Sequence, residues 1–373
     1  MPSSPIAAAA ASPLVGGELW RVLDTVPDPR DRRGRRHRLP VILACGLAAV
    51  LAGARSFVAI GEWVAHQSTS TLAGLGVEGA GPGESTIRRA FARLDGDLVD
   101  QVLGALLWTR TQRAGGRRVI AIDGKTVRGA RTPTQTAPHL VAALDQQAGA
   151  VLGQLAVAAK SNEIPAVQRL LALYDLTDVV VTVDAMHTQT DTATIITDGG
   201  GDYVFTVKGN TPTLYRQLKE LPWQQVPAHR ATQTGHGRRS TRTIKVVDAP
   251  AWVGFPAAAQ VAQVRRTVTR QEKKTVEVVY LITSADHDAA PPATLAAWVQ
   301  GHWSIENKLH WVRDVTFDED RSQIRTGNAP QVMATLRNTA ISLLRLTGWT
   351  NIAAGLRHHA REPDQPLKLV LTW

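Results

Sequence analysis

The sequence holds a single cysteine, Cys45, in 373 residues. A disulfide framework and a thiolate zinc site within one chain are thereby excluded. Long hydrophobic runs are also missing. The longest, Leu39 to Gly53, is short for a membrane span and is flanked by Arg38 and Arg55. No Walker-type glycine loop is present, so nothing points to nucleotide hydrolysis. The opening stretch "MPSSPIAAAAASP" lacks a basic n-region and reads as part of a disordered tail over residues 1–27, not a signal peptide. Acidic residues are the minority: 32 against 42 lysines and arginines, a formal charge of +10. That balance favours a polyanionic partner, most often nucleic acid, and a cytoplasmic, nucleoid-associated setting with no membrane. What is present, 44% hydrophobic and 20% charged residues, fits a globular chain long enough for one large core.

The first module, residues 28–115, reads as helical. Apolar helices are expected from Leu39 to Gly53 and from Ser56 to His66, with Ser56 as N-cap. Ser85 is expected to cap a helix to about Leu94. Asp95 or Asp97 then starts another, ending near Arg113. The pair has the outline of a helix-turn-helix, with Arg88, Arg89 and Arg93 on its first helix, although a basic surface helix is often only solvated. Ahead of it, "DPRDRRGRRHRLP" offers arginines suited to phosphate contacts.

The texture changes at "RRVIAIDGKTVRGA". Val119 to Ile122 is a short strand signal leading to Asp123, and "HLVAALDQQAGAVLGQLAV" reads as two more strands around a turn. "NEIPAVQRLLALYDL" has helical spacing with Asn162 as cap. "DVVVTVDAM" is a β-branched run of the kind buried on both faces, ending at Asp184. A helix from about Gln189 to Thr197 and the strand "DYVFTVKG" follow. The order predicts a mixed α/β sheet. Residues 211–285 look like antiparallel strands of an inserted subdomain. Thr294 is expected to cap a helix running through Glu306 to about Arg313. "TFDEDRSQIRTGN" reads as a loop, and a long helix is expected from about Ala329 to Thr347.

If the strands ending at Asp123 and Asp184 lie side by side in parallel, both carboxylates emerge at one sheet end, where α/β proteins keep their sites. Glu306 is the best third acid, with Asp314, Asp318, Glu319 and Asp320 as competitors. Three packed carboxylates repel one another unless cations lie between them. Oxygen ligands suit Mg²⁺ or Mn²⁺, and two such ions about 4 Å apart form a clamp for in-line displacement at phosphorus. Each acid also has a structural reading: a strand-end turn, or a partner for Lys308 or Arg313. His302, Glu306 and His310 share a helical face at steps of four and suggest a zinc site as a rival. The metalloprotease spacing is not met.

The blocks "AIDGKTVRGA", "VTVDAMHTQ", "DYVFTVKGNTPTL" and "HWSIENKLHWVRDVTFDED", in that order, resemble the transposases of bacterial insertion sequences, of the H-repeat-associated type. The resemblance spans nearly the whole chain. It implies an RNase H-like catalytic domain over residues 116–373, a β-rich insertion before the Glu helix, a helical N-terminal domain, and Asp123, Asp184 and Glu306 as the catalytic, metal-binding DDE triad. Of the wider group's helix signature, Tyr-x₂-Arg-x₃-Glu-x₆-Lys, this sequence has Val299, His302 and Arg313 beside Glu306. His302 and Arg313 can still meet phosphate, His302 only if its pKa is raised. Further DNA contacts are expected at Lys125, Arg128, Lys208, Asn307, Lys308, Arg321 and Arg325. Trp303 and Trp311 are expected to pack the helix onto the core, and His187 to support Asp184 or simply end a strand. Cutting and joining of double-stranded DNA, transposon ends to target, implies a homodimer assembled on DNA. A nuclease without strand transfer and a DNA-binding protein that has lost catalysis are the alternatives.

Overall fold

The computed structural model describes residues 17–111, 116–158, 161–235, 237–271, 273–362 and 364–373. The N-terminal third is helical: α1 (Glu18–Asp24), α2 (Leu39–Leu51), α3 (Phe57–Ala65), α4 (Thr69–Ala73), α5 (Glu84–Arg93) and α6 (Gly96–Arg110). The caps follow side-chain chemistry. Ser56 accepts a hydrogen bond from Ala59 N, and Asp95 from Leu98 N. Gly83, not Ser85, precedes α5, and Ser85 lies inside it. The expected end near Arg113 lies outside the described residues, as do residues 1–16 of the expected tail. The rest of that segment is a correction: α1 buries Leu19, Trp20 and Leu23, and this apolar anchor fixes residues 18–24 on the core.

The strand signals form one nine-stranded sheet: β1 (Arg118–Thr126), β2 (His139–Asp145), β3 (Val151–Ala156), β4 (Val179–Val183), β5 (Asp202–Val207), β6 (Ala228–Gly235), β7 (Arg238–Asp248), β8 (Gln260–Arg270) and β9 (Lys273–Thr283). Its order is β3-β2-β1-β4-β5-β9-β8-β7-β6. β1 pairs antiparallel with β2 and parallel with β4, and β4 pairs parallel with β5. That first half is the RNase H-like arrangement. The β-rich insertion is not a separate lobe. β9 pairs antiparallel with β5 and carries β8, β7 and β6 outward in the same sheet.

Helices α7 (Glu163–Leu171), α8 (Thr190–Asp198) and α9 (Pro212–Lys219) cover one sheet face through Ile122, Val181 and Phe205. α7 opens as its sequence dictates, with Asn162 accepting from Ile164 N. The other face meets α6, α10 (Pro292–His302) and α11 (Ala329–Leu346); α12 (Ile352–Arg361) and α13 (Asp364–Thr372) close the chain. α10 starts two residues before Thr294, so Pro291 and not Thr294 sits at its cap. Ile305, Leu309 and Val312 join α2, α6 and α11 in one core with Ala121 and Leu144 of the sheet. Each such aliphatic side chain contributes about 1.5–3 kcal/mol by burial, which fixes the segment around Glu306 against β1.

α5 and α6 do not form a free helix-turn-helix. α6 lies so close on β3 that a Cβ at Gly104 would meet Leu152 O at 2.2 Å. The side of α6 that carries Gly104 is thus taken up by the sheet, while Gln101, Ala105, Thr109 and Arg110 stay exposed. Of the arginine loop, Arg30 is buried, donating to Asp28 and to His37 O, whereas Arg32, Arg33 and Arg36 are exposed.

Candidate catalytic site

β1 and β4 run in parallel register up to Ile122 opposite Val183. Asp123 and Asp184 occupy the next step on each strand, so both side chains leave the sheet on one face. Both line a cavity of about 240 Å³ together with Glu306, Lys208 and His302. Asp123 Oδ1 accepts from Gly124 N at 2.9 Å. Asp184 Oδ1 accepts from Ala185 N at 2.7 Å and lies 3.7 Å from Lys208 Nζ. Burial raises the Asp123 pKa, and the negative charges of Glu163 and Asp184 push the same way, against the lowering influence of His310. A carboxylate so placed is short of positive charge.

Past α10 the helical path loosens into wider π-type turns over Glu306–His310 and Val312–Thr316. Such turns recur at functional sites because they re-aim side chains. Here they separate His302 from Glu306 and His310. His302 Nδ1 lies 3.0 Å from Thr182 Oγ1, while His310 Nδ1 lies 3.1 Å from Glu306 Oε2 and 3.6 Å from Asp123 Oδ2. One ligand atom from each of Asp123, Glu306 and His310 falls within a mutual 4.8 Å. The zinc rival built on His302, Glu306 and His310 loses His302. The hydrogen bond with His310 lowers the Glu306 pKa despite partial burial. The competitor acids point elsewhere: Asp314 pairs with Lys125 at 2.6 Å, Glu319 is fully buried, and neither Asp318 nor Asp320 lines the cavity.

Sequence reasoning missed the support beneath Asp123. Glu163, at the start of α7, lies 2.7 Å from His139 Nε2 and 3.1 Å from His187 Nε2, and His139 Nδ1 continues to Thr126 Oγ1 at 2.7 Å. These contacts join β1, β2, α7 and the turn after Asp184. Gly124 permits the approach, since a Cβ there would stand 2.5 Å from Glu163 Cδ. Despite burial, the hydrogen bonds from the two histidines hold the Glu163 pKa down to about 2. His187 is 1% exposed, so it supports the Asp184 turn rather than merely ending a strand. Only the glutamate after the Asn162 cap and the lone His139 hinted at this in the sequence.

The expected DNA contacts divide sharply. Arg313 is a correction: it is fully buried, donating to both carboxylate oxygens of Glu319 and to Gln154 Oε1 at 3.0 Å. A guanidinium saturated inside the core cannot meet a phosphate. His302 lines the cavity, and burial lowers its pKa to about 4, opposite to the raised value that a cationic phosphate contact needs. His302→Gln should leave the salt dependence of DNA binding unchanged; a flatter slope would show that the ring binds as a cation. Lys125 is held by Asp314, and Lys308 donates to Gln146 O at 2.9 Å. Asn307 is exposed with its amide on Trp303 O. Arg128, Arg321 and Arg325 are exposed, near Asp320, Asp318 and Gly129 O respectively. Trp303 and Trp311 overturn the packing expectation. They are 61% and 54% exposed, because Ile305, Leu309 and Val312 already fill the inward side.

Residues 114–343 match the family model described as "Transposase DDE domain", and residues 20–107 match one described as "DDE_Tnp_1-associated". The chain belongs to the DDE transposase family. Among curated relatives of this DDE transposase, the putative transposase YncI of Escherichia coli O157:H7 is 32% identical over 87% of this chain and 86% of its own length. The H repeat-associated putative transposase YhhI of Escherichia coli strain K12 is 32% identical over 92% of this chain and 94% of its own. A solved piggyBac transposase synaptic complex with hairpin DNA superimposes more loosely, with a TM-score of 0.43 at 10% identity over 93% of this chain and 76% of that one. The family makes the protein a DNA transposase. No helix among the described residues is long and apolar enough to cross a membrane.

Proposed function

We propose that Asp123, Asp184 and Glu306 hold two divalent cations, Mg²⁺ or Mn²⁺, and that the transposase cuts a strand at the element end and joins the freed 3′-hydroxyl to target DNA. The observation that carries this reading is the convergence of the three acids on one cavity from separate parts of the chain. The donor set fits hard cations: carboxylate oxygens predominate, and Asp123 lies in the field of two further acids. Bound there, the cations lower the pKa of the attacking water or hydroxyl and neutralise charge at the leaving oxygen.

The chain's own residues do the rest. Asp123 and Glu306 present oxygens within 4.8 Å of each other, and His310 holds the Glu306 carboxylate by a hydrogen bond. Lys208 steadies Asp184 and extends positive charge toward an incoming phosphate. Glu163 braces both aspartate turns through His139 and His187. Exposed Arg128, Arg321 and Arg325, with Asn307, are proposed to meet the DNA backbone outside the cavity. Assembly is proposed as a homodimer on paired DNA ends, in the nucleoid-associated cytoplasm. A donor-end duplex with a recessed 3′-hydroxyl, incubated with plasmid target and Mg²⁺, tests the joining step. Covalent donor–target products are expected; hydrolysis alone identifies a nuclease without strand transfer.

A further inference from the structure

The added strands carry cations on the same sheet face as the three acids. In the β7–β8 ladder Arg242 stands opposite Arg266 and Arg238 opposite Arg270. Directly paired residues of antiparallel strands share a face, and like charges placed so are destabilising. Arg242 and Arg266 line the cavity that holds Asp123, Asp184 and Glu306. Across the β8–β9 ladder Arg266 faces Glu277 and Arg270 faces Lys273, so these opposed positions set one acid against five cations.

Neither cavity arginine has a carboxylate partner among the described residues. Among the described residues, Arg242 Nη1 donates to the Gln233 amide oxygen, at 3.2 Å. Arg266 Nε is buried with no hydrogen-bond partner. Burial and the charges of Arg266 and Arg238 lower the Arg242 pKa. A buried donor without an acceptor and two opposed guanidinium groups both cost folding free energy. An anion in the cavity relieves the opposed charges. The guanidinium fork matches the two free oxygens of a phosphodiester.

We infer that Arg242 and Arg266 clamp a backbone phosphate of the DNA strand entering the catalytic cavity, with Arg238 and Arg270 continuing the contact outward along β7 and β8. The inference rests on the reading of this cavity as a DNA-cutting centre. The insertion thereby acts as the roof that holds the strand against the acids.

The probe is a fluorescein-labelled duplex of arbitrary sequence, titrated over a range of salt without divalent cation. The double variant R242Q/R266Q should flatten the log K against log salt slope by about two relative to wild type, and R242K/R266K should keep it. Without DNA, the glutamine variant should melt higher than wild type, because the opposed charges are gone, and DNA should raise its melting temperature less. A folded glutamine variant with the wild-type slope overturns the clamp. So does one that melts lower without DNA, since the arginines would then hold the fold. If wild type binds and cuts DNA in these outcomes, the clamp alone fails. If wild type binds no duplex at any salt, the DNA-cutting reading fails with it.

Discussion

Glu306→Gln is expected to reduce DNA cleavage about a thousand-fold or more while leaving duplex binding and folding as they are. The carboxylate is 55% exposed, so the swap leaves no buried charge behind. Its partner His310 keeps an oxygen acceptor in the glutamine amide. What disappears is one negative ligand beside Asp123, where the pocket is proposed to hold its cations. Loss of several kcal/mol of charge stabilisation in the transition state corresponds to a thousand-fold or so in rate. Single-turnover cleavage of an end duplex, alongside filter binding of the same DNA, separates the two effects. Cleavage within about tenfold of wild type would remove Glu306 from the metal site; joint loss of cleavage and binding would show that its role is in folding.

Glu319→Gln should instead act on stability, by about 3–5 kcal/mol, because it leaves two buried arginines without a counter-charge. Glu319 receives Arg313 Nη2 at 2.7 Å and Arg337 Nη1 at 2.8 Å, and all three side chains are essentially inaccessible. The ion triad ties the turn below Glu306 to α11. Burial alone would raise the Glu319 pKa, but the two arginines hold it at about 2, below its usual 4.5. A carboxylate lowered in the folded state contributes its stability above the unfolded pKa and loses it as pH falls through the folded one. The gap between wild type and variant should therefore be full above pH 4.5 and narrow toward pH 2. Urea denaturation at several pH values reads this out as a shift in midpoint with unchanged slope. A midpoint shared by both proteins at pH 7 would deny the triad any net role.

The elements nearest the chemistry were legible in the sequence because their signals are local. Continuous β-branched runs became β1 and β4, and the aspartates that end those runs became register neighbours. Asn162, Asp95 and Ser56 cap helices through bonds made within three residues. What stayed hidden depends on pairing between distant segments. Arg313 looks like a surface residue until Glu319, Gln154 and Arg337 are folded around it. Arg242 and Arg266 gain meaning only from an antiparallel register that sets them opposite each other. That the insertion extends the sheet from β5 follows from a β5–β9 pairing which no local pattern announces. Trp303 and Trp311 depart from the usual inward packing of aromatic residues because smaller aliphatic neighbours take the inward positions.

Anomalous diffraction from crystals of the protein bound to end DNA and soaked in Mn²⁺ tests the central claim most directly. The account predicts manganese peaks within coordination distance of Asp123, Asp184 and Glu306, and their loss in the Asp184→Asn protein. Manganese bound elsewhere in the molecule, with the three carboxylates free of it, would contradict the account.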